Sequence, residues 1–341
     1  MNNHLKAFAF LLPIFFFTTV ANATSLYIRS NTDQTAISAL LAGFEKKYPD
    51  VDIIYHDHNS NELAELILEN SNDPEFETDI VISSSMDLQV KLVNEGLAHQ
   101  FTPTVNFNLP EWAQWRNELY GFTYEPVVAV YHKPSFSDRD IPTDREVLIA
   151  SIRQNPDFYV NRVGVYDIKE SGVGYMFATQ DSIHSNQIFT LNESLGWANV
   201  QTYCCTSDIL NRVAEGELVY GYNVLGSYAL QFAKSNPDLG VILMSDYTLA
   251  MARSAFIPKS SKQKELAETF IQFILSYEGQ SIMARETALI PINTSIVSRL
   301  TPYLGQFSIL PIKLDVGLLA FLDQMKRRIF LENWERSINR Y

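Results

Sequence analysis

The sequence predicts an α/β protein built as two lobes, each a mostly parallel sheet flanked by helices, with a cleft between them. Two observations carry that prediction. Strand and helix patterns alternate regularly through the first hundred residues, then start again as a second series after Leu119-Tyr120-Gly121-Phe122-Thr123-Tyr124-Glu125-Pro126. Repeated βα units imply a parallel sheet covered by helices on both faces. Beyond residue 241 the strand pattern turns back toward the first series, so the chain crosses between lobes twice. Two crossings make a clamshell; one would join two independent beads.

Ser25-Leu26-Tyr27-Ile28-Arg29 reads as the first strand. Asn31-Thr32-Asp33 caps a helix with its apolar face at Ile37, Leu40, Leu41 and Phe44. Tyr48-Pro49-Asp50 ends it, Val51 to Tyr55 is a strand, and Asn59-Ser60-Asn61 caps a helix around Leu63, Leu66 and Ile67. Asp79 to Ile82 is a third strand, followed by Ser83-Ser84-Ser85 and a helix ending near Gly96. In the second series Val127 to Tyr131 and Arg162 to Tyr166 are strands, with a helix over Arg145 to Arg153 between them. Glu170-Ser171-Gly172-Val173-Gly174 leads into helical sequence up to Glu215. Residues 216 to 228 read as a buried strand running into a Gly-containing turn and a helix. Val241 to Met244 and Thr248 to Ile257 are expected as strands returning to the first lobe. Lys262 to Ala284 is expected as one long amphipathic helix, and Leu318 to Ile338 as another, with Phe321, Met325, Ile329 and Trp334 on one side. The Lys326-Arg327-Arg328 run reads as its solvated face.

The N-terminus has the pattern of an export leader. Lys6 precedes a nearly unbroken apolar run, Ala7 to Val20, and Ala21-Asn22-Ala23 supplies the small-x-small cleavage signal. The run is shorter than the roughly 20 apolar residues that span a bilayer, and Pro13 interrupts it. Cleavage after Ala23 leaves Thr24 at the new terminus. A terminal Cys would carry a lipid; Thr does not, so the product is expected free in the periplasm and not anchored. A monomer is expected. The domains expected are residues 1–23 as leader, 24–123 with 245–285 as lobe 1, 124–244 as lobe 2, and 286–341 as C-terminal helices on the lobes.

The 341 residues carry a net charge of −13, which becomes −14 without Lys6. Such acidity argues against nucleic acid or an anionic membrane as partner. It leaves an anionic small molecule open, because a pocket answers to its local donors. The two cysteines, Cys204 and Cys205, are adjacent. Consecutive Cα atoms lie ~3.8 Å apart, below the usual disulfide range, so a strained vicinal bridge and a reduced pair both stand as readings. His56-Asp57-His58 puts two histidines on one side of an extended segment, an incomplete metal site. Gly-x-Ser-x-Gly, His-Glu-x-x-His and Gly-x-x-x-x-Gly-Lys patterns are all missing, so neither an enzyme nor a cofactor is indicated.

In this arrangement ligands meet the C-terminal ends of strands, where helix N-termini offer free N–H groups. The candidates from lobe 1 are Asn31, Thr32, Ser60, Ser84 and Ser85, short polar residues at helix starts. From lobe 2 come Gly172, Gly174, Tyr222, Asn223 and Ser227. Arg253, near the crossover, supplies a full positive charge able to fork onto a carboxylate or phosphate. Glu125, in the first crossover, fits a hinge role.

The motifs "FEKKYPDVDI", "SNELAELIL", "TDIVISSSMD" and "LVNEGLA" resemble the periplasmic solute-binding proteins of ABC importers, the type II, ferric-binding-like family. "GELVYGYNVLGSYA", "SAFIPKSSKQKELAETFIQFILSYEGQ" and "LLAFLDQMKRRIFLENW" extend the likeness over nearly the whole mature chain. Within the family the chain resembles the phosphoglycerate transport and regulatory binding-protein branch. The resemblance implies the type II periplasmic-binding-protein fold, and an ABC permease or a membrane sensor kinase as partner. Ferric members place two adjacent tyrosines after the strand matching Leu218–Tyr222. Here the stretch is Leu225-Gly226-Ser227-Tyr228, with one tyrosine and a Gly-Ser turn that donates hydrogen bonds. The expected cargo is therefore a small organic anion, of the phosphorylated-acid or carboxylate class, with ferric iron or an iron chelate as the alternative. An exported phosphate-ester hydrolase is the alternative of another class.

Overall fold

The computed structural model describes residues 24–104, 109–293, 295–296 and 308–339. The leader and its cleavage site lie outside them.

The first lobe opens with β1 (Thr24–Ser30), α1 (Gln34–Lys47), β2 (Val51–Asp57), α2 (Ser60–Glu69), β3 (Ile80–Ser83) and α3 (Met86–Asn94), then two short strands, β4 (Gln114–Trp115) and β5 (Leu119–Gly121). The periodic face of α1 is buried at Ile37, Leu40, Leu41 and Phe44. Asn59 starts α2 with a reciprocal capping box to Glu62, as the Asn-Ser-Asn-Glu sequence demands.

The second lobe follows as β6 (Glu125–His132), α4 (Arg145–Gln154), α5 (Pro156–Tyr159), β7 (Val163–Tyr166), α6 (Gly172–His184), α7 (Gln187–Trp197), β8 (Gln201–Tyr203), α8 (Thr206–Ala214), β9 (Tyr220–Leu225), α9 (Gly226–Ser235), β10 (Leu239–Ile242) and β11 (Thr248–Met251). The chain re-enters the first lobe as β12 (Ser254–Phe256), α10 (Lys264–Leu275) and α11 (Tyr277–Glu286), and ends with β13 (Ile309–Pro311) and α12 (Gln324–Ile338).

The first sheet has the order β2-β1-β3-β12-β5-β4 and the second β13-β11-β6-β9-β7-β8, with β10 also on β6. β1, β2 and β3 are mutually parallel, as are β7, β8 and β9. Both sheets are nevertheless mixed rather than mostly parallel. β12 lies antiparallel to β3, and β6 lies antiparallel to β9, β10 and β11. These are the strands that the crossings feed, and each enters its sheet from the far lobe.

Four local expectations shift. The stretch 248–257 is two strands on opposite sides of the crossing: β11 belongs to the second sheet and only β12 to the first. The helical run before Glu215 contains a three-residue strand, β8, too short to show alternation. The helix over 262–284 breaks at Ser276, whose hydroxyl caps α11 by accepting from Gly279 N–H at 3.1 Å. Asp323 starts α12 in the same way, so Phe321 stands outside it; Trp334 is buried while Met325 and Ile329 are exposed. α12 packs on α7, and Trp334 and Ile338 join a second-lobe core with Leu191 and Leu195.

The largest apolar cluster runs through both lobes, from Leu63, Val90 and Val93 in the first to Val128, Met176 and Phe177 in the second. Asp87, at the start of α3, is wholly buried beside it, and one carboxylate oxygen has no partner. Burial pushes this carboxyl up to about 7, with backbone N–H groups and Arg327 only partly opposing. The native state therefore holds a proton that the unfolded chain releases near its ordinary value of 3.8. Stability should fall as pH rises from about 4 to 7, by a few kcal/mol at most, and level off above. Asp87→Asn should remove most of this slope in urea unfolding measured between pH 4 and 8; an unchanged slope would show that Asp87 ionises freely.

Candidate functional site

Both crossings pass through one buried cluster. Thr123 and Glu125 lie on the outgoing crossing, and Arg253 lies on the returning one, between β11 and β12. Arg253 is about 1% exposed and Glu125 fully buried. Arg253 Nε donates to Glu125 Oε1 at 2.8 Å, and Thr123 Oγ1 donates to the same oxygen at 2.8 Å. Ser227 Oγ donates to Glu125 Oε2. Arg253 Nη1 donates to Thr32 Oγ1 at 2.7 Å. A continuous polar chain thus runs from Thr32 in lobe 1, through the two crossings, to Ser227 at the start of α9 in lobe 2.

Ser227 reaches Glu125 because Gly226 lets β9 turn into α9 against β6. A Cβ at Gly226 would lie 2.4 Å from the Pro126 carbonyl oxygen. Desolvation opposes the charge of Arg253, but Glu125 and Tyr228 more than restore it, and the guanidinium is held above its ordinary range.

The second guanidinium nitrogen, Nη2, has no partner. The buried hydroxyls of Ser85, Ser254 and Tyr228 are likewise without one. The Arg253 guanidinium lies 5.1 Å from the centre of the Tyr228 ring. Burial pushes the Tyr228 phenol up to about 12, with the Asp33 and Glu125 carboxylates adding to the rise and Arg253 opposing it, so it remains a neutral donor that faces Asp33. Tyr228 also lines a cavity of about 530 Å³ between the lobes. Asp33, Arg285 and Thr287 wall it from the first lobe, Ser207 and Lys234 from the second. A larger concavity of about 680 Å³, around Gln100, Gln114 and Arg116, lies on the first lobe alone.

Of the residues singled out by sequence, Thr32, Ser227 and Arg253 meet through Glu125. Asn31 and Ser84 pair with each other twice, at 2.8 and 2.9 Å. Ser85 is buried with its hydroxyl free. Ser60 and Gly172 satisfy one another: Gly172 N–H donates to Ser60 Oγ at 3.0 Å, directly across the lobes. Asn61 adds a second bridge, donating to the Glu170 carbonyl at 2.8 Å. The Gly174 N–H is taken by Ser171, which caps α6, and a Cβ there would strike Tyr166.

Tyr222 and Asn223 turn away from the crossings. Tyr222 Oη donates to Asp181 Oδ2 at 2.8 Å and accepts from Arg145 Nε at 2.6 Å; Asn223 Nδ2 donates to Asp181 at 2.6 Å. Asp181 also accepts from Arg145 and from Tyr247, and Arg145 bridges on to Asp246. Burial, then the Asp181 charge, drives the Tyr222 phenol well above its ordinary range. These two side chains serve a buried ion network in lobe 2.

Sequence reasoning passed over Tyr55, Thr123, Tyr228 and Ser254. Tyr55 Oη donates to the Thr32 carbonyl at 2.6 Å and so fixes the turn that presents Thr32 Oγ1 to Arg253. Tyr228, one residue after Ser227 in the helix-opening turn, was the signal available.

A family model described as bacterial extracellular solute-binding protein matches residues 26–286. The chain belongs to that family. No curated protein sequence matches the chain. Among solved structures, it is similar to the substrate-binding protein of an ABC transporter from Agrobacterium tumefaciens, with 33% identity and a TM-score of 0.87 over 94% of this chain and 96% of that one. Iron-bound HitA from Pseudomonas aeruginosa shares the fold at 16% identity and a TM-score of 0.70, covering 92% of this chain and 99% of its own. AfuA from Actinobacillus pleuropneumoniae, with fructose-6-phosphate bound, does so at 17% identity and 0.72, covering 92% and 98%. A member of this family holds its solute without converting it, which removes the hydrolase alternative.

The Ser60–Gly172 contact needs a residue without a Cβ, since one at Gly172 would come within 2.8 Å of Ser60 Oγ and 2.9 Å of Asn61 Oδ1. Gly172→Ala should hinder lobe closure and lower ligand affinity about tenfold, equivalent to about 1.4 kcal/mol. Calorimetric titration should show this with the melting temperature of the ligand-free protein nearly unchanged; equal affinity would take this contact out of closure.

Proposed function

We propose that the protein captures a small organic anion, of the phosphorylated-acid or carboxylate class, between its lobes in the periplasm and hands it to an ABC permease. The observation that carries this reading is the unpartnered Nη2 of buried Arg253, accompanied by three buried hydroxyls with no partner. Buried polar groups without partners are rare, and a binding site is where they are tolerated. A guanidinium edge with neutral hydroxyl donors suits carboxylate or phosphate oxygens. Thr32, Ser85, Arg253 and Tyr228 would take the anionic head, and Ser227 would hold Glu125 for Arg253. Of these residues only Tyr228 lines the cavity, and the cavity is far larger than a single ion needs, which supports an organic body on the Lys234 and Arg285 side of Tyr228.

Ferric iron fits less well. Iron ligation calls for phenolates, whereas Tyr55 and Tyr228 are held protonated by burial and Tyr222 is committed to Asp181. The export leader and the similarity to an ABC substrate-binding protein support the periplasmic location and the permease. Among the described residues no helix is long and apolar enough to cross a membrane.

A thermal-shift screen of phosphorylated acids, di- and tricarboxylates, phosphonates and Fe(III) salts tests the reading. A cognate anion at a hundredfold excess over Kd should stabilise by about 2.7 kcal/mol. Stabilisation by Fe(III) alone would overturn it. Tyr228→Phe and Ser85→Ala should each weaken anion binding about tenfold while leaving the ligand-free melting temperature close to wild type. Arg253→Ala is the poorer probe, because stranding Glu125 without its partner costs about 3–5 kcal/mol of fold stability.

A further inference from the structure

One cluster of chemically capable side chains stands apart from the Arg253 chain. Cys204 and Cys205 are free thiols at the junction of β8 and α8, with Cys205 exposed and Cys204 half-buried. Their sulfurs are 2.7 Å apart. Asp208, one turn into α8, brings a carboxylate oxygen 3.8 Å from Cys204 Sγ. One ligand atom from each of the three lies within 4.8 Å of the others, the only such grouping of three among the described residues.

We infer that Cys204, Cys205 and Asp208 form a binding site for a thiophilic divalent cation of the zinc–cadmium class. Two sulfurs and one carboxylate oxygen are the donor set such ions prefer, and an exposed fourth position leaves room for water. Metal–sulfur bonds of about 2.3 Å at a tetrahedral angle need the sulfurs somewhat further apart than they stand, which a modest side-chain rotation at exposed Cys205 supplies. Asp208 has no salt bridge among the described residues, and Asp33 on the facing lobe adds a second carboxylate's field at Cys205; burial and these negative neighbours push the free Cys205 thiol up to about 12, so a bound cation has to displace its proton. Two thiolates and a carboxylate around a divalent ion leave one net negative charge at the N-terminus of α8, the end that favours it.

The site also borders the cleft, since Ser207 and Leu210 of α8 and Asp33 of the first lobe line the cavity between the lobes. It lies outside the Arg253 chain, so the two proposals stand or fall separately.

The test is titration of the reduced mature protein with Cd²⁺, following sulfur-to-cadmium charge transfer in the near ultraviolet. One equivalent should bind. Cys204→Ser and Cys205→Ser should each abolish the band, and Asp208→Asn should weaken binding about tenfold, with circular dichroism showing all three folded. No band from protein with two titratable thiols would overturn the site. So would a band that survives in the Cys204→Ser/Cys205→Ser variant, and Asp208→Asn binding as tightly as wild type would remove the carboxylate from it.

Discussion

The ion pair between Arg253 and Glu125 is the contact on which both the lobes and the site depend. Each residue sits on a different crossing, so the pair ties the two crossings together. Taking two charges wholly out of water is expensive, and a buried pair is retained only when its remaining lone pairs and protons are satisfied. Glu125 meets that condition with Thr123, Ser227 and Arg253 as donors. Arg253 does not, because one nitrogen is left over. The two crossings and the proposed anion site therefore share one structure. The carboxylate fixes the guanidinium in place, and the edge that it leaves uncovered is what a ligand can use.

This coupling explains how closing the lobes can depend on the ligand. Thr32 reaches Arg253 from one lobe and Ser227 reaches Glu125 from the other, while Ser60 and Gly172 meet across the gap. The proposed closure is a rotation about the crossings that keeps the short segments carrying Glu125 and Arg253 paired. The proposed anion, held at the guanidinium from both sides, would favour the closed arrangement because only there would it gain contacts from both lobes.

Much of this was legible in the sequence. Local periodicity revealed α1 down to its buried face, and capping chemistry revealed the start of α2, whereas Asp33 at the start of α1 makes no side-chain cap. Arg253, Thr32 and Ser227 follow from being polar at strand ends. The sequence was silent wherever long-range pairing decides. Nothing local separates β11 from β12, because each is a short apolar strand and only their sheet partners differ. Tyr222 and Asn223 look like ligand donors until Asp181 and Arg145, 41 and 77 residues from Tyr222, are brought under them. Gly172 and Gly174 show the same limit: the acceptors for their N–H groups are serine hydroxyls, one of them from the other lobe.

The two buried arginines carry the last distinction. Arg145 and Arg253 are alike in burial and in having carboxylate partners, so charge and exposure cannot tell a structural site from a binding site. The hydrogen-bond inventory can. Arg145 spends its Nε and both terminal nitrogens on Tyr222, Asp181, Asp246 and the Tyr247 carbonyl, and the Tyr247 ring stacks 3.6 Å from its guanidinium carbon. Arg253 keeps one terminal nitrogen unspent, beside a tyrosine hydroxyl in the same state. A guanidinium offers five N–H donors, and burying any of them without an acceptor costs stability. The fold gives every nitrogen of Arg145 an acceptor and leaves one nitrogen of Arg253 without any, at the point where the two lobes meet.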